Sequence, residues 1–584
     1  MTSITLNTLP ADILLLISKY LDSTMLLNLA LVDKQIYASA CQTMFRSITL
    51  KAANLRADID TWGHILLRNS AMEVVRHLRV DGGPEAVEHF PSSKDEASET
   101  DFTPLLAFLN KLSALTRITW TCVSQFPEAI LDAIHHRFPS CQVHLDKLRL
   151  YSVFDTSLHA YEERLLSSPN LHTVRCGINI GHDKVFLRVL SLARNIKNLD
   201  LNNGKDCVVL PKAYLEIPQD SPWLLAKGPP SHLESLVYPG SLDLVTLTMW
   251  MNAIDTTTRL RNLVLENIWG HKARPDSFEY MRQMCDFRML DKLDLHVPTT
   301  SSDVDENALA VAARSFLCSL RPLSTLTLSG DLDYTLLRLV LEHHGQKLRT
   351  LNLNPSVGNI YPDGIYLNRV AGTSQELSLL LSHCLLLKEL SIPIPRTCGD
   401  KHETAIYSVI GSLPRLQNVH IILDARNPAY FEEPELWDEE EIPTATDFDN
   451  WDNEFLGNWA PEQGLGPRKG STRKAFINSA IDEILVQRIF EIIDAAKPEC
   501  SLSLEEVSFT ALPGGYTGDG VTSVGIVDVC DIMAKHWIVR RNPRDDKRDQ
   551  IDCMEWSGDF SRFETREARR GISRDEGYFE WDCG

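Results

Sequence analysis

The chain has 584 residues, of which 58 are lysine or arginine and 79 are aspartate or glutamate, so its formal net charge is −21. This negative charge argues against nucleic acid or an anionic membrane surface as the main partner, because both attract cationic protein surfaces. A single compact domain of this length is not expected unless it is a repeat array.

The 13 cysteines are scattered, and no two lie within ten residues of each other. This is not the spacing of a zinc site or of a CxxC redox pair, so we expect reduced, packed thiols. The N-terminus lacks a basic segment followed by an apolar one, and no stretch approaches 18 uninterrupted apolar residues. We therefore expect a soluble protein of the cytoplasm or nucleus, with no signal peptide and no membrane partner.

Three short helices are predicted at the N-terminus, over residues 10–21, 23–30 and 34–44. Pro10 suits the first position of a helix, and Asp22 or Ser23, then Asp33, can cap the two helices that follow. The first helix contains five consecutive aliphatic residues, Ile13–Ile17, which point in every direction around its axis. A module of this size hides only part of its own surface, so we expect some of its apolar surface to be covered from outside.

A hexamer with aliphatic residues at its first and fourth positions and an apolar residue at its sixth recurs along the chain. Its last three positions alternate as in a short strand, and helix-like runs such as 336–347 and 376–387 lie between copies. An LxxLxL pattern that recurs about every 20–30 residues is typical of leucine-rich repeats. Between Leu171 and Leu416 the spacings run from 25 to 39 residues, which indicates loop insertions. The copies start at Val75, Leu115, Leu171, Ile196, Leu233, Leu260, Leu290, Leu323, Leu348, Leu387, Leu416 and Leu504.

The predicted fold class is therefore α/β, an irregular leucine-rich-repeat solenoid with a parallel sheet and helices. An insertion at 424–472 interrupts it, and the acidic segment 431–454 carries interleaved aromatic residues, Trp437, Phe448 and Trp451. A solvated loop is the simpler interpretation, and a hook for a basic partner is the alternative. A helix follows, on one face of which we place Ile477, Ile481, Ile484, Leu485, Ile489 and Ile492. We assign 473–540 to a terminal repeat and cap, and 541–584 to a charged C-terminal tail.

Motifs for catalysis or metal binding are missing from the sequence. The adjacent pairs His135–His136 and His343–His344 diverge on a helix and make poor shared metal sites. The glycine-rich stretch 512–525 lacks the spacing of a phosphate-binding loop, so we interpret it as a connection in the last repeat. We expect no enzyme activity, no cofactor and no metal.

The segment "LPADILLLISKYLDSTMLLNLALVDKQIY", Leu9–Tyr37, resembles an F-box. The Leu-Pro opening, the aliphatic residues of the first helix, the leucines of the second and "LVDK" before the third all match the family. Tyr37 stands where the family usually has tryptophan, and "MFRSITL" at 44–50 resembles the exit into the repeats of many fungal members. The resemblance is specific over residues 5–50 and architectural beyond them. We assign 1–50 to the F-box and 51–423 to the repeats.

The resemblance implies a substrate receptor of a Skp–cullin–F-box type E3 ubiquitin ligase, a non-catalytic subunit that docks a Skp-type adaptor and through it a cullin. The repeats would hold an unknown protein target. The alternative is a leucine-rich-repeat interaction scaffold not linked to ubiquitination, with the N-terminal helices as a cap. Carried over by position, the adaptor-facing residues are Leu9, Pro10, Ile13, Leu14, Ile17, Leu21, Leu26, Leu29 and Val32.

Target contacts are expected on the outward side of the strands, where the polar spacers of each hexamer point. This expectation depends on strand phase, because a slip of one residue would turn each side chain to the other face. The candidate target-binding residues are Arg261, Asn262, Lys292, Asp294, Arg349, Asn352, Lys388 and Glu389.

Overall fold

The computed structural model is an α/β protein whose chain divides into two compact units. The first unit comprises residues 1–240 and 245–264, and the second comprises 241–244 and 265–584. None of the described helices is long and apolar enough to cross a membrane. The structure describes residues 6, 9–21, 23–82, 101–122, 124–148, 160–175, 189–190, 192–201, 232–238, 244–265, 275–297, 306–330, 332, 334–355, 373–425, 469–514, 524–542 and 550–556.

The first unit begins with three helices, α1 (Ala11–Ser18), α2 (Ser23–Ala30) and α3 (Lys34–Met44), and then alternates strands with helices. The strands are β1 (Ser47–Lys51), β2 (His77–Asp81), β3 (Arg117–Trp120), β4 (Gln142–Leu145), β5 (Leu171–Arg175), β6 (Asn198–Asp200), β7 (Ser235–Tyr238) and, at the boundary, β8 (Asn262–Leu265). The helices are α4 (Leu55–Arg68), α5 (Thr103–Leu109), α6 (Glu128–Arg137), α7 (Ala160–Leu166) and α8 (Leu244–Ala253).

The second unit continues the alternation of strands and helices. Its strands are β9 (Lys292–Val297), β10 (Thr325–Gly330), β11 (Thr350–Pro355), β12 (Glu389–Pro395), β13 (Asn418–Asp424), β14 (Glu506–Leu512), β15 (Trp537–Arg541) and β16 (Ile551–Glu555). Its helices are α9 (Pro275–Met284), α10 (Glu306–Ser319), α11 (Tyr334–His344), α12 (Ser374–Leu381), α13 (Lys401–Gly411), α14 (Lys469–Ser479), α15 (Glu483–Ala495) and α16 (Val524–Met533).

Within each unit, neighbouring strands in the chain are neighbours in the sheet. Strands β1–β7 pair in parallel in the first unit, and β9–β14 do so in the second. The pairs β14–β15 and β15–β16 are antiparallel. The prediction of an α/β fold with a largely parallel sheet and intervening helices is therefore confirmed.

The apolar positions of the repeated hexamer form the cores of the units. In β9, Leu293 and Leu295 are buried, and in register beside them lie the buried Leu326 and Leu328 of β10. The intervening residues, such as Asp294, point to the opposite side of the strand. Because each fully buried leucine contributes about 1.5–3 kcal/mol, these stacked rows are a large part of the stabilisation.

Four of the described strands, β1, β4, β15 and β16, lie outside the predicted series of hexamers. Strand β1 has the aromatic Phe45 where the hexamer requires an aliphatic residue. Strand β4 falls between the copies at Leu115 and Leu171, and it has Ser140 where the hexamer requires an aliphatic residue. Strands β15 and β16 turn back on β14, and β16 lies within the stretch assigned to a charged tail. These strands therefore lack the leucine pattern that marks the others.

The helix predicted after the insertion is in fact two helices. Helix α14 ends at Ser479 and α15 begins at Glu483, because Asp482 caps α15 by accepting a hydrogen bond from the Leu485 amide at 2.8 Å. The interruption changes the helical phase, so the six aliphatic residues do not share one face. Ile481 is buried whereas Ile484 is exposed, and the prediction of a single apolar face is wrong.

The acidic segment 431–454 lies outside the described residues, as do the rest of the insertion between 426 and 468 and most of the C-terminal tail. The solvated-loop and partner-hook interpretations of that segment both remain predictions.

Candidate functional site

The three N-terminal helices form a small core of their own, because α1 and α2 both pack against α3. Pro10 stands just before α1 as its N-cap residue, and its carbonyl oxygen accepts a hydrogen bond from the Leu14 amide at 3.1 Å. The hydroxyl of the buried Ser18 donates to the Leu14 carbonyl at 2.8 Å. The buried apolar residues of this core are Leu14, Leu26, Ile36, Ala40, Cys41 and Phe45.

The same helices leave many large apolar side chains in solvent. Their exposed fractions run from 40 to 85 %, and Leu31 and Val32, in the turn between α2 and α3, are among the most exposed. The apolar content of the segment therefore exceeds what its own core buries. We call these side chains the N-terminal apolar surface: Leu6, Ile13, Leu16, Tyr20, Met25, Leu27, Leu31, Val32 and Tyr37.

The nine residues predicted to face an adaptor divide into three groups. Leu14 and Leu26 are buried, so we place them in the core of the helices rather than on a contact surface. Pro10, Ile13 and Val32 are exposed. The half-buried residues are Leu9, Ile17, Leu21 and Leu29.

Sequence reasoning missed several exposed apolar residues of this surface, among them Leu16, Leu27 and Leu31. A signal for Leu16 was present in the run Ile13–Ile17, because a helix that buries Leu14 must turn some residues of that run outward. Which residue of the run turns outward follows from the packing of α1 on α3, which the sequence does not reveal.

The predicted target-binding residues lie on the solvent-facing side of their strands or just before them, as the strand phase requires. Arg261 and Asn262 belong to the first unit and the other six to the second. The exposed members are Arg261, Lys292, Arg349, Lys388 and Glu389, and the half-buried ones are Asn262, Asp294 and Asn352.

Some of these polar groups already bond to a neighbouring strand. The side-chain amide of Asn262 donates to the Ser235 hydroxyl at 2.8 Å, and that of Asn352 donates to the Thr327 hydroxyl at 3.2 Å. Such cross-strand hydrogen bonds stabilise a sheet. These two asparagines are therefore less available to a target than the exposed cations beside them.

A second group of polar residues that sequence reasoning missed lies on the outward side of β2–β5. His77, Arg117, His144 and His172 occupy neighbouring positions on these strands. The centroids of the His144 and His172 rings are 5.0 Å apart, and the ring planes are inclined by 34°. We call these four residues the histidine–arginine cluster. No short sequence motif predicts this cluster, because strand pairing brings together residues that are far apart in the chain.

The adjacent histidines of α11 serve the packing of the second unit. His343 hydrogen-bonds the Leu320 carbonyl through Nε2 at 2.7 Å. His344 is buried, accepts a hydrogen bond from the Leu323 amide at Nδ1 and bonds the Leu317 carbonyl through Nε2. Burial lowers the pKa of His344 to about 4, so this side chain is neutral at physiological pH.

In the part of the chain that the structure describes, no group of three or more histidine, cysteine, aspartate or glutamate side chains is arranged to hold a metal ion. The first histidine pair, on α6, also has local partners. His135 Nε2 lies 2.8 Å from the Ser168 hydroxyl, and His136 Nδ1 lies 2.7 Å from the Asp132 carbonyl.

The comparisons with known proteins add no relationship. No protein-family model matches the chain, and no curated protein matches it.

Proposed function

We propose that the chain is the substrate-recognition subunit of a Skp–cullin–F-box type E3 ubiquitin ligase. Residues 1–50 dock a Skp-type adaptor and through it a cullin, and the outward side of the strands binds a protein target. The observation that carries the proposal is the N-terminal apolar surface, which stays exposed although the three helices already have a buried core. The resemblance of Leu9–Tyr37 to an F-box supplies the identity of the partner.

The size of the apolar surface supports a stable contact. Burying one large aliphatic side chain contributes about 1.5–3 kcal/mol. Four or five such residues therefore supply much of a tight interface after the cost of association, which is about 4–15 kcal/mol, is subtracted. Leu31 and Val32 are the strongest candidates for the centre of the contact, because they are the most exposed aliphatic side chains of this surface.

The proposed subunit contributes binding and no chemistry of its own. Burial raises the pKa of the thiols of Cys122, Cys141 and Cys384 to about 12, so these groups are protonated at neutral pH and are poor nucleophiles. The reduced thiols are consistent with the cytoplasm or nucleus, where we propose that the protein acts.

The test is co-purification of the adaptor with variants of the full chain. We expect the double variant Ile13→Asp/Val32→Asp to lose a Skp-type adaptor, because each aspartate places a charge in an apolar contact. The double variant Leu9→Ala/Pro10→Ala should also lose the adaptor, because these two residues lead into α1. Leu67→Asp is the matched control, since Leu67 is an exposed leucine on α4, outside the three helices.

Circular dichroism should show equal helix content in all of these proteins. Undiminished adaptor binding by Ile13→Asp/Val32→Asp would contradict the proposal and favour the alternative, a leucine-rich-repeat interaction scaffold not linked to ubiquitination.

A further inference from the structure

The histidine–arginine cluster on the first unit is built by strand pairing. His77 of β2 lies directly opposite Arg117 of β3 in the parallel register. His144 lies two residues further along β4 than the residue that pairs with Arg117. The register between β4 and β5 shifts at this point, and His172 is the additional residue of β5 there. Arg117 and the stacked pair His144–His172 therefore share one side of the sheet.

Arg117 is the cation in this cluster that lacks a carboxylate partner. Its side chain is exposed, and the described residues provide no ion pair to it. The carboxylates of Asp146, Asp200 and Glu234 pair with other cations. Those pairs are Arg79–Asp146 at 3.9 Å, Arg175–Asp146 at 3.5 Å, Arg175–Asp200 at 3.7 Å and Lys197–Glu234 at 3.0 Å.

Both burial and the charged groups nearby lower the pKa of His144. Its pKa is lowered to about 3, first by burial and then by Arg117, His172, His77 and Arg175. No carboxylate acts on this imidazole in the opposite direction. The site therefore holds a neutral histidine beside the guanidinium of Arg117, which has no carboxylate partner among the described residues, and this environment favours an anion.

The other two histidines respond to the same arginine. Burial lowers the pKa of His77 and of His172, and Arg117 lowers both further. Arg117 thus acts on all three imidazoles of the cluster. The other charged groups that act on His77 or His172 are Arg79 and Lys197, which lower the pKa, and Glu234, which raises that of His172.

One atom of the cluster is also left without a hydrogen bond. Nε2 of His144 is buried and has no partner among the residues described here. By contrast, both ring nitrogens of His77 lie near hydroxyl groups, Nε2 at 2.8 Å from Thr119 and Nδ1 at 3.2 Å from Ser47. An unpaired buried polar atom is destabilising, and such atoms are enriched where a site binds or reacts. A ring nitrogen of His144 is therefore left without a hydrogen bond to any described residue, whereas both ring nitrogens of His77 have a partner within reach.

We propose that the histidine–arginine cluster binds an oxyanion of a target protein, with Arg117 as the principal contact and with uptake of a proton from solvent by His144 or His172. The oxyanion is the carboxylate of an acidic segment or the phosphate of a phosphorylated residue. That the anion belongs to a target protein rests on the proposed function, whereas the anion site rests on the geometry of β2–β5. A bound anion would oppose the field of Arg117, so anion binding and histidine protonation favour each other.

The experiment uses the full chain labelled with ¹³C at histidine. The probes are inorganic phosphate, a hexaglutamate peptide, and a hexapeptide whose only charged side chain is one phosphoserine. We expect saturating phosphate to raise the pKa of His144 and His172 in the NMR titration. Binding of the hexaglutamate peptide, whose carboxylates stay ionised over this range, should tighten as the pH falls from about 7.5 to about 5.5, because the histidine that takes up a proton adds to the attraction. Binding of both peptides assigns the site to carboxylates as well as phosphates, and binding of the phosphopeptide alone assigns it to phosphates.

Substitution of Arg117 locates the anion. We expect Arg117→Gln to weaken peptide binding by about tenfold or more, because an arginine forms two parallel hydrogen bonds to an oxyanion. Arg117→Lys should bind at an intermediate level, because it keeps the charge and loses the planar fork. Arg56→Gln, which removes an exposed arginine from α4, is the matched control and should bind as the natural protein does.

The inference is overturned if neither peptide binds, if both bind Arg117→Gln as tightly as the natural protein, or if the histidine pKa values do not move. Adaptor co-purification with the same Arg117→Gln preparation separates this result from the proposed function. An adaptor that still co-purifies while the anion fails to bind overturns the anion site alone. If the natural protein binds the peptides but no adaptor co-purifies with it, the ligase assignment is overturned and the anion site is supported.

Discussion

The guanidinium of Arg396 and the carboxylate of Glu403 form an ion pair that is almost completely buried in the second unit. The other carboxylate oxygen of Glu403 accepts hydrogen bonds from the backbone amides of Thr397 at 2.8 Å and Gly399 at 2.9 Å. The side-chain amide of Asn478, at the end of α14, donates to the Arg396 carbonyl at 3.1 Å. The pair thereby joins the loop after β12 to α13 and, through Asn478, to α14.

Removing one partner of this pair should strongly destabilise the second unit. Arg396→Ala leaves the Glu403 carboxylate buried without its cation, and we expect a loss of about 3–5 kcal/mol in the free energy of unfolding. Urea unfolding followed by circular dichroism measures this loss. The control is Arg488→Ala, which breaks the exposed pair Arg488–Glu491 and should cost less than about 1 kcal/mol. Equal losses in the two variants would show that the buried ion pair contributes no more to the free energy of unfolding than the exposed one.

In the N-terminal helices, alanine substitution should lower stability at a core residue and leave it nearly unchanged at a residue of the apolar surface. Leu14→Ala removes a side chain that is 1 % exposed, and we expect it to destabilise the helices by about 2–5 kcal/mol. Val32→Ala removes one that is 64 % exposed and should change their stability by less than about 0.5 kcal/mol. Hydrogen exchange of the amides of α1–α3 measures both effects. Rapid exchange in Val32→Ala would mean that Val32 supports the helices rather than a partner.

The protein should lose stability as the pH falls from about 6.5 towards 4, and His344 should contribute to the loss. The pKa of His344 is about 4 in the folded protein, because burial disfavours the charged imidazole and His343 lies beside it. The unfolded chain binds a proton near the ordinary pKa of about 6.5, so acid favours unfolding. The full contribution of His344 is about 3 kcal/mol.

Urea unfolding of the natural protein and of His344→Gln, at neutral pH and near pH 4.5, tests this contribution. The variant should be less stable at neutral pH, because it loses the hydrogen bonds to the Leu323 amide and the Leu317 carbonyl. It should also lose less stability on acidification. An unchanged pH dependence would assign the acid sensitivity to other buried histidines, such as His420, whose pKa is also about 4.

Two glycines should respond to alanine in opposite directions. Gly330 has a φ of +93°, and a Cβ placed there would lie 1.7 Å from the Val297 carbonyl oxygen. Gly330→Ala should therefore cost more than about 2 kcal/mol. Gly63 lies inside α4, where a Cβ would meet nothing within 4 Å, so Gly63→Ala should stabilise the protein by about 0.5–1 kcal/mol. Thermal unfolding of the two variants measures both changes, and a destabilised Gly63→Ala would contradict the geometry of α4.

Local sequence was a good guide to this fold wherever one apolar pattern decides one element. The strand beginning at Lys292 was predictable, because Leu293 and Leu295 alternate with polar residues and are both buried. Strand β4 escaped prediction because Ser140 interrupts the pattern. The break between α14 and α15 was not predicted, because the aliphatic residues keep a helical spacing across it although Asp482 caps a new helix there.

The candidate sites were less predictable than the strands, because they depend on contacts between distant segments. Leu14 and Leu16 look equivalent in the sequence, and only the packing of α1 on α3 buries one and exposes the other. The stacking of His144 on His172 depends on an irregular register between β4 and β5. No periodicity within a single strand carries that information.

Strand β16, the last described strand, differs from the strands before it in what it offers to an added repeat. None of its five residues is buried, and two of the exposed ones are Asp552 and Glu555. A duplicated repeat placed beside β16 would not meet a row of buried leucines or isoleucines. A repeat duplicated between β9 and β13 would find buried leucine or isoleucine rows on both sides. Gene duplication could therefore lengthen the series more readily from within than beside β16.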